Sequence, residues 1–176
     1  MVRRRYDLTA GMYDARYAEE QEAKYHAALT SMKPAGLVLD VGCGTGLLFS
    51  HVASQSEQVV GVDISKKLLL QVKERVDKPR NAELVQADAD HLPFKNDLFN
   101  AVFAFTVLQN MPKPNETLME IRRSAAQGSC VVVTGLKKVF STEALTNLLH
   151  EARFHVVSVK DEGNLKCYVA LGRKEG

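Results

Sequence analysis

The chain has 176 residues, 45% hydrophobic and 25% charged, with a net charge of +2. That length and balance suit one globular domain over residues 1–176 and leave no room for a separate substrate domain. No apolar run is long enough to span a bilayer, and the stretch from Met1 to Asp7 lacks the apolar segment of a signal peptide.

An arginine run, Arg3-Arg4-Arg5, and the tyrosines Tyr6, Tyr13 and Tyr17 open the chain. Residues from about 14 to 32 then read as a helix. Tyr25, Ala28, Leu29 and Met32 share one of its faces, and Pro34 and Gly36 end it. Residues 1–33 are thus an N-terminal segment ahead of the first strand. That strand is Val38-Leu39-Asp40-Val41, apolar enough to be buried on both faces. It breaks into Gly42-Cys43-Gly44-Thr45-Gly46. Glycines at alternate positions tolerate positive φ and let a ligand approach the backbone. Strand, glycine turn and helix form the nucleotide-binding corner of doubly wound α/β folds, although a bare Gly-x-Gly is equally a plain tight turn.

Asp40 narrows the choice. A carboxylate at the mouth of the turn repels a pyrophosphate, which counts against a nicotinamide dinucleotide. It suits S-adenosyl-L-methionine, whose ammonium and sulfonium are both positive. Gln58 to Val62 is a second strand ending in Asp63, about 20 residues past the first glycine, where an acid accepts from both ribose hydroxyls. Ser65 caps the next helix, which carries Leu68, Leu69, Val72 and Val76 at helical spacing.

Ala82 to Gln86 is a third strand, followed by a loop from Ala87 to Phe94. Asp88 sits where a carboxylate reads an adenine amino group. Asp90 and His91 read as solvated loop residues, while Leu92, Pro93 and Phe94 return to the core. A fourth strand (Ala101 to Phe105), a helix (Asn115 to Ala125) with Leu118, Ile121 and Arg122 on one side, and a fifth strand (Gly128 to Thr134) follow. After a short connection from Gly135 to Phe140, Ser141 caps a helix with Leu145, Leu148 and Leu149. Phe154 to Val159 and Leu165 to Leu171 then form a hairpin. Alternating strands and helices predict a mostly parallel sheet. Cys43, Cys130 and Cys167 are odd in number and far apart, and the five histidines show no ligand spacing, so no metal site is expected. Cys130 and Cys167 fall in strands. They read as buried thiols in a reducing, cytoplasmic setting.

Four pieces, in order and spacing, resemble the class I S-adenosyl-L-methionine-dependent methyltransferases. They are Val38 to Gly46, Val62-Asp63-Ile64-Ser65, Gln86 to Phe94, and Phe99-Asn100-Ala101-Val102 through Val107-Leu108-Gln109-Asn110. Asn100 stands where the family commonly has aspartate, and Gln109-Asn110 replaces a frequent pair of histidines on the substrate side. The resemblance implies a Rossmann-like sheet of seven strands, one of them antiparallel, with helices on both faces. It places the cofactor against Asp40, Gly42, Gly44, Gly46, Asp63, Ile64, Asp88, Ala89 and Phe105. It places the substrate near Tyr17, Thr106, Gln109, Asn110 and Lys137. Tyr13 and Asn110 are its weak catalytic candidates. By analogy the tyrosine run folds as a lid, the alternative being a helix on the domain flank.

Absent motifs narrow the acceptor. Phe105-Thr106-Val107-Leu108 replaces the Asn-Pro-Pro-Tyr of adenine N6 and glutamine amide enzymes, and no Pro-Cys follows the fourth strand. Lys113, Lys137, Lys138 and the arginine run suit a phosphate-bearing substrate, or form an ordinary solvated rim. The short 135–140 connection lacks the cover that stand-alone small-molecule relatives carry. The resemblance therefore implies methyl transfer to RNA or a translation component, with a small zinc-binding activator protein as partner. A small metabolite such as a quinone precursor is the alternative acceptor. A non-catalytic cofactor- or nucleotide-binding module is the alternative of another class.

Overall fold

A computed structural model describes residues 18–74 and 78–176. The arginine run, Tyr6, Tyr13, Tyr17 and Val76 lie outside the described residues. Seven strands form among the described residues: β1 (Leu37–Val41), β2 (Gln58–Asp63), β3 (Ala82–Gln86), β4 (Phe99–Ala104), β5 (Ala125–Leu136), β6 (Phe154–Lys160) and β7 (Cys167–Lys174). They make one sheet in the order β3-β2-β1-β4-β5-β7-β6. Neighbours from β3 through β5 are parallel, and β7 is antiparallel to both β5 and β6. The expected Rossmann-like α/β sheet is present, its reversed strand being β7.

The period-2 alternation of each strand sorts side chains onto two helical layers. Val38, Ala101, Phe103 and Val132 face α1 (18–29), α2 (Phe49–Val52) and α3 (Lys66–Glu74), packing with Tyr25, Phe49, Leu69 and Val72. Leu39, Val102, Val131 and Val133 face α4 (Pro114–Ser124) and α5 (Thr142–Glu151), packing with Leu118, Ile121, Leu145 and Leu149. Those last four are 0% exposed, and burying each stabilises the fold by about 1.5–3 kcal/mol. The Ser141 hydroxyl accepts from Ala144 N at 3.0 Å, the expected cap of α5. Ser65 caps α3 by accepting from Leu68 N at 3.3 Å.

Four strand starts differ from the sequence reading, β1 beginning at Leu37 and β7 at Cys167. β4 begins at Phe99 and β5 at Ala125, and the pair shifts register before resuming at Ala101 and Cys130. Gly128, at φ 74°, lets β5 deviate there. Asn100 turns its side chain back to β1, where Oδ1 accepts from Leu37 N at 2.9 Å. It lies at the amino ends of the strands, away from the ligand edge. Between β1 and β4 the strand order reverses. Such a switch point opens a crevice at the carboxyl ends of the strands.

Candidate functional site

At the end of β1 the backbone N–H groups of Gly42 and Cys43 both donate to Val62 O, at 2.7 and 2.9 Å. That fork ties the turn to the tip of β2. Gly42 has φ 71°, and a Cβ there would lie 2.6 Å from Val107 Cγ2. Only glycine fits both the conformation and that approach. Asp63 completes the corner: Oδ2 accepts from Gly44 N at 3.0 Å and Oδ1 from Ser65 N at 2.8 Å.

A cavity of 310 Å³ opens at this corner. Gly42, Gly44, Asp63, Ile64 and Leu68 line one side, Asp88, Ala89 and Asp90 a second, and Phe105, Thr106, Val107, Asn110, Met111 and Pro112 the third. Gly46 does not line it. A Cβ at Gly46 would meet Val72 at 3.0 Å and Phe49 at 3.1 Å, so this glycine serves helix packing behind the turn. Asp88 is exposed and accepts from Asp90 N at 3.1 Å. Asp90, expected to be solvated, is half-buried and accepts the hydroxyl of the buried Thr117. The β3 loop folds back over α4, which removes Asp90 from bulk water; His91 is exposed, as expected.

A second, smaller cavity shares Gly42, Gly44 and Phe105 with the first and adds Gln21, Tyr25, Asp40, Cys43, Thr45 and Leu47. Asp40 is 4% exposed. Burial, reinforced by the charge of Asp63, holds its carboxyl well above the ordinary range. Burial also pushes the Cys43 thiol up, helped by both carboxylates. Gln21 is buried, and among the described residues its Oε1 has no hydrogen-bond partner.

The chain leaves β4 through Thr106, a β-branched residue at φ 63°. Such strain persists only where neighbours fix it. Here Thr106 N donates to Thr134 Oγ1 at 2.8 Å, and Thr106 O accepts from Asn110 Nδ2 at 2.7 Å. Thr106 Oγ1 accepts from Lys24 Nζ at 3.2 Å and from Gln21 Nε2 at 3.4 Å. Lys24 is buried and pairs with Glu20 at 3.1 Å. The sequence reading missed Gln21 and Lys24. Their signal was two polar residues on the helical face that carries Tyr25 and Ala28.

Two other expected site residues, Gln109 and Lys137, lie apart from the cavity. Gln109 is half-buried, does not line it, and has an Oε1 without a partner among the described residues. Lys137 pairs with Asp161 at 2.6 Å, donates to Glu162 O and lies over the Tyr168 ring, so it is held at the β6–β7 loop. Tyr17, like the catalytic candidate Tyr13, lies outside the described residues. Lys113 pairs with Glu116 at 2.7 Å. Cys43 and Cys167 are buried free thiols and Cys130 is half-buried. Among the described residues no group of acids, histidines and cysteines could hold a metal, and no helix is long and apolar enough to cross a membrane.

Fold and cleft together define a doubly wound α/β domain with a ligand crevice at its switch point. Residues 39–133, more than half of the chain, match the model of the methyltransferase domain family, and the chain belongs to that family. S-adenosyl-L-methionine is the cofactor this membership implies. The chain is 33% identical over 138 residues to (+)-O-methylkolavelool synthase of Herpetosiphon aurantiacus, covering 75% of this chain and 49% of that protein. It is 32% identical over 139 residues to the ubiquinone/menaquinone biosynthesis C-methyltransferase UbiE of Burkholderia mallei, covering 77% and 57%. The chain thus spans about half the length of these curated relatives. In fold it matches a chain from the complex between the Haloferax volcanii Trm112 methyltransferase activator and a methyltransferase. The TM-score is 0.85 at 16% identity, over 100% of this chain and 98% of that one.

Proposed function

We propose that this domain moves the methyl group of S-adenosyl-L-methionine onto an acceptor held beside Phe105, Thr106 and Asn110. One observation carries the reading. The buried Asp40 and Gln21, whose Oε1 has no partner among the described residues, both line the small cavity behind the glycine turn. Two acceptors there fit an ammonium and reject a pyrophosphate. Asp63 is placed for ribose hydroxyls, Asp88 for an adenine amino group, and Ile64, Leu68 and Ala89 for its ring. When bound, the cofactor supplies a methyl group already activated on a sulfonium. The protein's part is to align the acceptor for in-line displacement and to exclude water. A base is needed only if the acceptor must lose a proton first. Asn110 does not titrate, so its part is positioning.

An apolar wall favours a small acceptor. Val107, Met111 and Pro112 make that wall, and Lys113 and Lys137 are engaged by acids rather than held ready for phosphates. Both curated relatives carry names of small-molecule biosynthesis. A second reading, methyl transfer to RNA or a translation component with a small zinc-binding activator protein, draws on the whole-chain likeness to the Haloferax complex. The short turn between β5 and α5 also supports it. A cytoplasmic setting accompanies either reading. Methyl-labelled S-adenosyl-L-methionine, incubated with the protein and either a metabolite extract or total RNA, tests them. Label in the metabolite fraction supports the first reading, and label confined to RNA replaces it with the second. Tight cofactor binding without any transfer leaves a non-catalytic binding module.

A further inference from the structure

The Thr106 hydroxyl is held with an unusual polarity. A threonine hydroxyl carries one hydrogen and two lone pairs. Lys24 is a donor without acceptor capacity, and its Nζ lies 3.2 Å from Thr106 Oγ1. Gln21 presents Nε2 to the same oxygen at 3.4 Å. Both lone pairs are therefore engaged from the α1 side. The backbone of Thr106 is engaged as well, N–H to Thr134 and C=O from Asn110. The hydroxyl hydrogen alone is left, and among the described residues no acceptor takes it. Thr106 lines the 310 Å³ cavity, so an acceptor bound there can take that hydrogen.

The orientation of the Gln21 amide decides this polarity. Turned over, it would offer Oε1 to Thr106 and capture the hydrogen. An ammonium bound in the small cavity, which Gln21 and Asp40 both line, would draw Oε1 toward itself and leave Nε2 facing Thr106. We infer that Thr106 donates its hydroxyl hydrogen to an anionic or strongly accepting oxygen on the methyl acceptor, and that the amino-acid tail of the cofactor sets this direction through Gln21. The buried Lys24 ammonium strengthens the donor, because a hydroxyl that accepts from a cation is a better acid. Such a site selects acceptors whose reacting atom is, or adjoins, a phenolate- or enolate-type oxygen. It also couples the two sites: the oxygen is bound best after the cofactor tail has arrived.

The inference rests on the donor site proposed above, and the test separates the two. 4-Nitrophenol serves as the acceptor probe, its ionisation followed by absorbance with the whole chain saturated by S-adenosylhomocysteine. Its apparent pKa is expected to fall by about one unit on binding. With 5′-methylthioadenosine, which lacks the amino-acid tail, the fall is expected to be smaller. Thr106→Val should abolish the shift while S-adenosylhomocysteine still binds by calorimetry. Thr106→Ser should restore it, and Gln21→Glu, which can only accept, should remove the difference between the two adenosine ligands. Absence of probe binding, an unchanged shift in Thr106→Val, or equal shifts with both ligands overturns the inference while the donor site stands. Failure of S-adenosylhomocysteine to bind the unaltered chain overturns both.

Discussion

Replacing Asp63 by alanine tests the corner where strand, turn and ligand meet. The carboxylate accepts from Gly44 N and Ser65 N. Hydrogen bonds to a charged acceptor contribute about 1.5–3 kcal/mol each, and the half exposure of Asp63 argues for the low end. Two such bonds at that low end give a loss of about 3 kcal/mol in the ligand-free protein, which for this chain length is a fall of about 6–12 °C in Tm. The cofactor then loses its ribose partner as well as an ordered turn. That costs a further ~1–3 kcal/mol of binding, or about five- to 150-fold in Kd. Thermal unfolding without ligand and calorimetry with S-adenosyl-L-methionine measure the two effects separately. An unchanged Kd would remove Asp63 from the ligand site. An unchanged Tm would show that the bonds to Gly44 and Ser65 contribute nothing in solution.

Asp40 predicts a pH dependence. Its folded-state carboxyl is raised above the ordinary 3.8 by burial and then by Asp63. The fold therefore holds a proton that the unfolded chain releases, and this stabilisation is lost as pH rises toward the raised value. A cationic ligand needs the ionised form, so affinity should climb with pH through the same window, and calorimetric heats should vary with buffer ionisation enthalpy. Asp40→Asn should flatten the profile and stabilise the ligand-free protein near neutral pH. Gly42→Ala places a methyl 2.6 Å from Val107 at φ 71°; it should lower stability by about 1–3 kcal/mol and cofactor affinity more than tenfold, both readable in one thermal-shift titration. Leu149→Ala, in the layer away from the turn, should cost about 2–5 kcal/mol by denaturant unfolding and leave the Kd for cofactor within about twofold.

Local chemistry made most of the sheet legible. Val38 to Val41 has nothing polar except Asp40, and the glycines after it leave only a turn. Asp63 and Ser141 announced themselves because strand tips and helix starts need an acceptor for orphan N–H groups. The start of β5 was obscured because Gln127-Gly128-Ser129 reads as a loop, and its partner β4 carries it across a bulge. Lys137 sits at the predicted edge, yet its partner Asp161 comes from a hairpin loop 24 residues later, a pairing no local pattern reveals. Gln21 and Lys24 were hidden for the same reason. Their role depends on Thr106, more than 80 residues away.

The inward position of β7 governs how the chain can be made. Its residues pair with β5 from Cys130 opposite Arg173 to Leu136 opposite Cys167, and with β6 on the other side. Strands β1 to β5 can assemble as they leave the ribosome, but Val131, Val132 and Val133 keep an open, strongly apolar edge until residues 167–174 arrive. Of the seven described strands, the last in chain order is thus an interior one. A nascent chain stalled near Lys166 should recruit chaperones or aggregate, and a truncation there should be insoluble even though every residue of the ligand cavity is present.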